Sequence, residues 1–334
     1  MKKLYHNLIV LAGIVAVLAS CQKEPCRKCM ETQERMEQMK NRIELRVEAS
    51  PATKVADAVA RNESAIHSAI LFVFDAQTGI ILSKHRDSTG CFILTLADGT
   101  YDFATIVNAP DVQPSSVSEL CLSVSALSAN KANSFVMFGL ERGVDIVSSR
   151  TIPVTVRRLV SKVNYSITVD LENPANTGLE FIVKGAYMTN VCGDAAYGSS
   201  TYKTDIWYNR MYYCASDLPN LLFGNETCAL RNGDRMTSVH TFYVYPNGYE
   251  DDHDKTAFSP RCTRLIVETR IDGETYYYPV TLPDIKPNTA YDVNLKVKGP
   301  GMRHPEDENI SAGSIEVVVG VSEWETGENI NAEF

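Results

Sequence analysis

The sequence predicts an all-β protein built from two β-sandwich domains. Three observations predict it. Apolar residues come in short runs that either alternate with polar residues or are continuous, the patterns of half-buried and fully buried strands. Turn signals separate these runs, most clearly Asp98-Gly99 and Asp272-Gly273. No segment beyond the N-terminus sustains the 3.6-residue apolar period of a long helix.

The elements follow in order. Ile43, Leu45 and Val47 alternate with charged residues and predict a half-buried strand over 43–48. The linker "PATKVADAVARNESA" (51–65) follows it. "AILFVFD" (69–75) is continuously apolar, as in a strand buried on both faces. "AQTG" turns the chain and "IILSKH" returns it. "CFILTL" (91–96) and "YDFATIVN" (101–108) predict a hairpin about Asp98-Gly99. Residues 111–133 predict a loop with one short helix, and "FVMFGL" and "RTIPVTVRRLVSKVNYSITVDL" add strands. In the second half "LEFIVKGAYMTNVC" is strand-like, whereas 194–240 is aromatic, polar and irregular. The clearest hairpin is "TRLIVETRI-DG-ETYYYPVTL" (263–282), where Asp272-Gly273 suits a type I′ turn. "TAYDVNLKVKG" follows. The expected division is 43–160 for an N-terminal sandwich, 161–300 for a C-terminal sandwich, and 311–334 for an appended strand segment.

The N-terminus reads as a targeting signal. Lys2 and Lys3 precede an apolar run from Leu8 to Leu18, which ends in Leu18-Ala19-Ser20-Cys21. A short apolar run ending in small residues is a secretory signal. The cysteine after "LAS" matches a bacterial lipobox, which makes residues 1–20 a lipoprotein signal peptide and Cys21 the lipid site. Acyl chains there would anchor the protein at about 0.8 kcal/mol per buried CH₂. Residues 21–42 read as a polar tether. No apolar run of about 20 residues follows, so no membrane-spanning helix is expected in the mature chain.

Composition excludes some functions. The net charge is −9, and loss of residues 1–20 removes two lysines and no acid, giving −11 from 30 basic and 41 acidic residues. An acidic body argues against nucleic-acid binding. The six histidines are dispersed, and no H-E-x-x-H, G-x-S-x-G or P-loop motif occurs. "KHRDSTG" (84–90) reads as a solvated turn. "YEDDHDK" (249–255) lacks the spacing and glycine of a calcium loop and reads as a solvated acidic loop. No catalytic residue, metal site or cofactor is expected. Of nine cysteines only Cys26 and Cys29 form a C-x-x-C, with no second pair to complete a zinc site. The others read as scattered, mostly buried thiols, with some disulfides allowed.

The final strand raises the functional question. In "SAGSIEVVVGVSEWETGENINAEF", Ile315, Val317, Val319 and Val321 share one face, and they follow a polar linker. An apolar strand needs a designated partner. It could close its own sheet. Alternatively it could complete the sheet of a neighbouring molecule, if that molecule had lost a strand. The strand carrying Ile43, Leu45 and Val47 is such a candidate, because a cut after Arg61 in the following linker would release lipid, tether and strand together. Head-to-tail pairing of this kind makes filaments.

This combination resembles the fimbrillins of Bacteroidales, the lipoprotein-derived subunits of type V pili. The resemblance runs over most of the chain. It rests on "LASC", "AILFVFDAQTG", "TIPVTVRRLVSKV", "TRLIVETRIDGETYYYPVTLPDIKPNTAYDVNLKVKGPG" and "IEVVVGVSEW". It implies two transthyretin-like β-sandwich domains and export to the outer membrane as a lipoprotein. It also implies cleavage by a trypsin-like surface protease and assembly with other fimbrial subunits by strand exchange. Carried over by position, Cys21 is the lipid site and 43–48 the displaced first strand. Arg61 is the cleavage arginine, with Arg46 as a competitor inside that strand, and 315–321 is the donor strand. Anchor subunits of such systems keep their lipid uncut and tip subunits lack the donor strand, so the C-terminal strand argues for a stalk subunit. The alternative reading is a lipid-anchored surface protein that binds glycans through the aromatic block around 194–214, or an anchor or tip accessory subunit. A hydrolase is disfavoured by the missing motifs.

Overall fold

The computed structural model describes residues 40–50, 63–171, 177–249, 261–306, 315–324 and 329–332. The chain is all-β. Its strands are β1 (Lys40–Ala49), β2 (Ala69–Asp75), β3 (Ile81–Asp87), β4 (Cys91–Ala97) and β5 (Gly99–Val107). After the short helix α1 (Val117–Leu122) come β6 (Val124–Ala126), β7 (Met137–Ile146), β8 (Arg150–Arg158) and β9 (Ser161–Val169). Next are β10 (Phe181–Thr189), β11 (Val191–Cys192), β12 (Asp194–Ala196), β13 (Trp207–Tyr208), α2 (Pro219–Leu222) and β14 (Phe223–Leu230). The chain ends with β15 (Arg235–Thr237), β16 (Phe242–Val244), β17 (Arg264–Ile271), β18 (Glu274–Thr281), β19 (Thr289–Val297), β20 (Ile315–Glu323) and β21 (Asn329–Ala332).

The N-terminal strands run in the order β3-β2-β5-β7-β8-β1-β4. β7 and β8 meet at only two residue pairs, Met137 with Arg158 and Phe138 with Arg157. The path therefore folds over there, and β8-β1-β4 packs across β2-β5-β7. The core between them holds Ile43, Leu45, Leu71, Val73, Phe103 and Val154. β2 is buried on both sides, as its continuous apolar run predicts. Leu71 and Val73 face this core, while Ile70, Phe72 and Phe74 join the second core, which runs on through the C-terminal half.

In that half one sheet has the order β14-β10-β17-β18 and the other β15-β9-β19-β20-β21, with β16 also on β9. β9 and β19 are parallel. The β17–β18 hairpin forms as its sequence predicts: Asp272 and Gly273 have φ of 48° and 88°, the left-handed pair of a type I′ turn. α1 occupies part of the predicted loop. Its N-cap Ser116 accepts the backbone N–H of Glu119, and the Glu119 carboxylate accepts the Ser115 N–H in return.

Two expectations are corrected. β4 and β5 do not form a hairpin. β5 pairs with β2 and β7, whereas β4 pairs with β1. The physical reason is burial. Residues 102–107 of β5 are all buried and need neighbours on both edges, whereas β4 buries only Phe92 and Leu94 and suits the end of a sheet. Asp98-Gly99 therefore carries the chain from one sheet to the other. The second correction concerns 194–240, which is less irregular than its composition suggests: it contains β14, an edge strand of the C-terminal sheet.

Candidate functional site

The first strand is an interior strand. β1 pairs antiparallel with β4 from Lys40–Ala97 to Arg46–Cys91, and parallel with β8 from Ile43–Arg150 to Ala49–Val156. Among the described residues β1 is the only strand that pairs with β4. Ile43 and Leu45 are completely buried and Val47 nearly so. Full burial of such side chains contributes about 1.5–3 kcal/mol each. The alternate residues Glu44, Arg46 and Glu48 point outward, and Arg46 is paired with Glu44 at 2.7 Å. That hydrogen bond and charge hold the Arg46 guanidinium above its ordinary pKa. Arg46 is the last residue paired with β4 and lies in the middle of the β8 ladder, so a protease that binds its substrate as an extended strand meets it already paired on both sides. Gly90 closes the end of β1: its backbone turns through φ +77°, and a side chain there would meet the Cβ of Val47 at 3.0 Å. Cys21 and Arg61 lie outside the described residues, as do the acidic residues of 250–255.

Where the chain resumes after the linker, Glu63 sits in a buried knot that the sequence does not announce. Its Oε1 accepts the Tyr243 hydroxyl at 2.9 Å. Its Oε2 accepts Trp324 Nε1 at 2.9 Å and Lys162 Nζ at 3.2 Å. The Glu63 carbonyl accepts Arg158 Nε, and the Ser64 hydroxyl accepts Arg158 Nη2. The Trp324 ring stacks on Tyr243, meets Phe135 edge-on and lies under the Arg158 and Lys162 cations at 4.7 and 4.9 Å. Burial, then the Glu63 charge, drives the Tyr243 hydroxyl pKa far upward, so it remains a hydrogen-bond donor. A buried carboxylate with every partner in place is stable, whereas removal of one partner is costly.

Trp324 directly follows the C-terminal strand. β20 pairs with β19 along its whole length. On its other side β21 covers only Val319 to Ser322. Ile315 to Val318 have no strand partner on that side among the described residues. The sequence predicts an appended strand segment over 311–334. The structure shows an intermediate arrangement: half of β20 is an edge and half is capped by a four-residue strand. On its apolar face Val319 is buried, whereas Ile315, Val317 and Val321 remain partly exposed.

The aromatic block offers little as a stacking platform. Tyr197 and Trp207 are buried. Tyr213 stacks on Phe223 and packs against Tyr187, and Tyr249 is engaged by Trp207 and by Lys203. A cavity of about 860 Å³ lies between this block and residues 284–289. Its central carboxylate, Asp194, is occupied by the Tyr202 and Thr204 hydroxyls. No disulfide joins any two of the six described cysteines. Only Cys192 is buried, so the expectation of mostly buried thiols holds for it alone. No cluster of potential metal ligands occurs among the described residues.

The two sheet pairs make an all-β protein with an interior first strand and a next-to-last strand that is half unpaired along one edge among the described residues. Residues 159–324 match the family model described as FimA4 pilin C-terminal domain. Solved structures share the fold. A fimbrilin from Porphyromonas gingivalis W83 aligns with a TM-score of 0.63 at 13% identity, covering 85% of this chain and 98% of that one. The tip fimbrial protein Mfa3 from Porphyromonas gingivalis, with a C-terminal truncation, gives 0.53 at 14% identity over 85% and 100% of the two chains. A fimbrial assembly protein from Parabacteroides distasonis ATCC 8503 gives 0.51 at 13% identity over 88% and 100%. No curated protein matches in sequence. Residues 159–324 therefore carry a pilin domain, and the protein is a fimbrial subunit.

Proposed function

We propose that this subunit is exported as a lipoprotein acylated at Cys21 and held at the outer membrane. It is cut after Arg61 by a trypsin-like surface protease and then polymerises by strand exchange at the cell surface. β1 is the strand that leaves and β20 the strand that enters. The protein does no chemistry of its own: its partners are the protease, the membrane while the lipid remains, and other fimbrial subunits. The working division into 43–160 and 161–300 is supported by the break between β8 and β9.

The single observation that supports this reading is the position of β1. It is the first described strand, continuous with the rest of the sandwich through one linker, yet it fills the interior of a sheet. Its removal leaves β4 without its strand neighbour and opens an apolar slot against β8. Such a gap is an obligate binding site for another strand. The test is limited digestion of the purified full chain with a trace of an arginine-specific protease, followed by N-terminal sequencing and an unboiled SDS gel. A single cut before Asn62 with a ladder of SDS-resistant oligomers is expected. A stable monomer after that cut would contradict strand exchange.

A further inference from the structure

We propose that β20 enters the slot of the next subunit in one register and one direction. Ile315, Val317, Val319 and Val321 then occupy the places of Ile43, Leu45, Val47 and Ala49, and the donor runs parallel to β8 and antiparallel to β4, as β1 does. This inference rests on the strand-exchange reading and specifies its interface.

The two strands are alike in sequence. Residues 43–50 read Ile-Glu-Leu-Arg-Val-Glu-Ala-Ser, and 315–322 read Ile-Glu-Val-Val-Val-Gly-Val-Ser. With Ile315 on Ile43, four of the eight positions are identical: isoleucine, glutamate, the central valine and the final serine. Every inward position keeps an apolar residue. Because side chains alternate with a period of two, only shifts of two residues keep the apolar face inward. A shift that places Val317 on Ile43 puts Glu323 at Ala49, which packs against the apolar core of this sandwich. The opposite shift leaves Gly313 at Ile43, emptying a completely buried site. Reversing the strand puts Val321 at Ile43 and the larger Ile315 at Ala49, so large and small are exchanged at both ends.

The rim of the slot favours the same alignment. Gly90 comes within contact of the Val47 Cβ, and a valine, Val319, arrives there. On the outer face Arg46 and Glu48 are replaced by Val318 and Gly320, which carry no charge. Val318 is already 47% exposed in the uncut chain, so its transfer to an outward position exposes no new buried side chain. Ile315 is the specificity residue of this interface: only in this register does an isoleucine return to the completely buried Ile43 position.

The test uses β4 as a ruler. Glu44 lies opposite Ile93 across the β1–β4 ladder. In the proposed register Glu316 takes that place. Ile93→Cys is made in a Cys91→Ser full chain and combined in turn with Glu316→Cys, Val318→Cys and Gly320→Cys. These sites are outward or open: Ile93 is 59% exposed, and a side chain at Gly320 meets nothing closer than 3.8 Å. After protease treatment and mild oxidation, the 316–93 pair is expected to give covalent oligomers that collapse on reduction, with the linked peptides identified by mass spectrometry. A 318–93 bond would establish the register shifted by two, and a 320–93 bond the reversed strand. Ladders without any of these bonds would also overturn the proposal while leaving strand exchange standing. Absence of ladders in the Cys91→Ser parent would overturn both.

Discussion

β1 and β20 carry nearly the same apolar face, yet the fold treats them differently. β1 lies inside a sheet with both ladders filled and its inward side chains sealed. β20 lies one place from the end of its sheet, with half of one edge unpaired and only Val319 buried among its four apolar face residues. The same sequence pattern is therefore better satisfied at the first strand's position than at the last strand's. That asymmetry would favour the proposed exchange, offset by the ladder that β20 gives up with β19. Moving Ile315, Val317 and Val321 from partial to full burial adds a fraction of the roughly 1.5–3 kcal/mol that each complete burial contributes. It also pairs both edges of a strand that now has one edge half open. In the proposed exchange β1 holds the better place until it is cut away.

Mutations should affect the two strands unequally. The largest effect is expected for Leu45→Asp, which puts an unpaired charge at a completely buried position; the uncut chain should lose several kcal/mol and fail to give a cooperative melt. Trp324→Ala should follow, costing about 3 kcal/mol in chemical denaturation, because it removes a stacked ring and leaves the Glu63 Oε2 short of a donor. Glu63→Gln keeps the shape but weakens bonds to Lys162, Tyr243 and Trp324. It should cost about 1.5–3 kcal/mol and raise the hydrogen-exchange rate of β20 amides in the uncut chain. Val317→Ala should be the mildest in the uncut chain, about 1 kcal/mol or less by thermal melting, because Val317 is only partly buried. In the proposed interface it occupies the Leu45 place, so the SDS-resistant ladder of the same variant should weaken more than its monomer does. Equal effects on monomer and ladder would remove the asymmetry between the two strands.

Much of this arrangement is legible in the sequence. The alternation of Ile43, Leu45 and Val47, the continuous run of β2 and the Asp272-Gly273 turn each specify local structure, and each forms as read. Three things were not legible, for different reasons. Asp98-Gly99 is a good hairpin turn, but pairing is decided by how many neighbours the flanking strands need, and β5 needs two that β4 cannot supply. β14, "FGNETCAL", alternates weakly because an edge strand buries little. The Glu63 knot joins residues that are 261 positions apart in the chain, Glu63 and Trp324. A lone glutamate after a linker and a lone tryptophan after a strand give no sign of each other. The tryptophan in "GVSEW" was visible, but its partner was not.

The most direct measurement is the composition of the assembled filament. Purified filaments from the cut chain would be analysed by N-terminal sequencing and mass spectrometry for residues 40–49. The account expects filaments that begin at Asn62 and lack the β1 peptide, with that peptide recovered in the supernatant. Filaments that retain Ile43 to Val47, or that form from the uncut chain, would contradict the claim that β1 leaves to make room for β20.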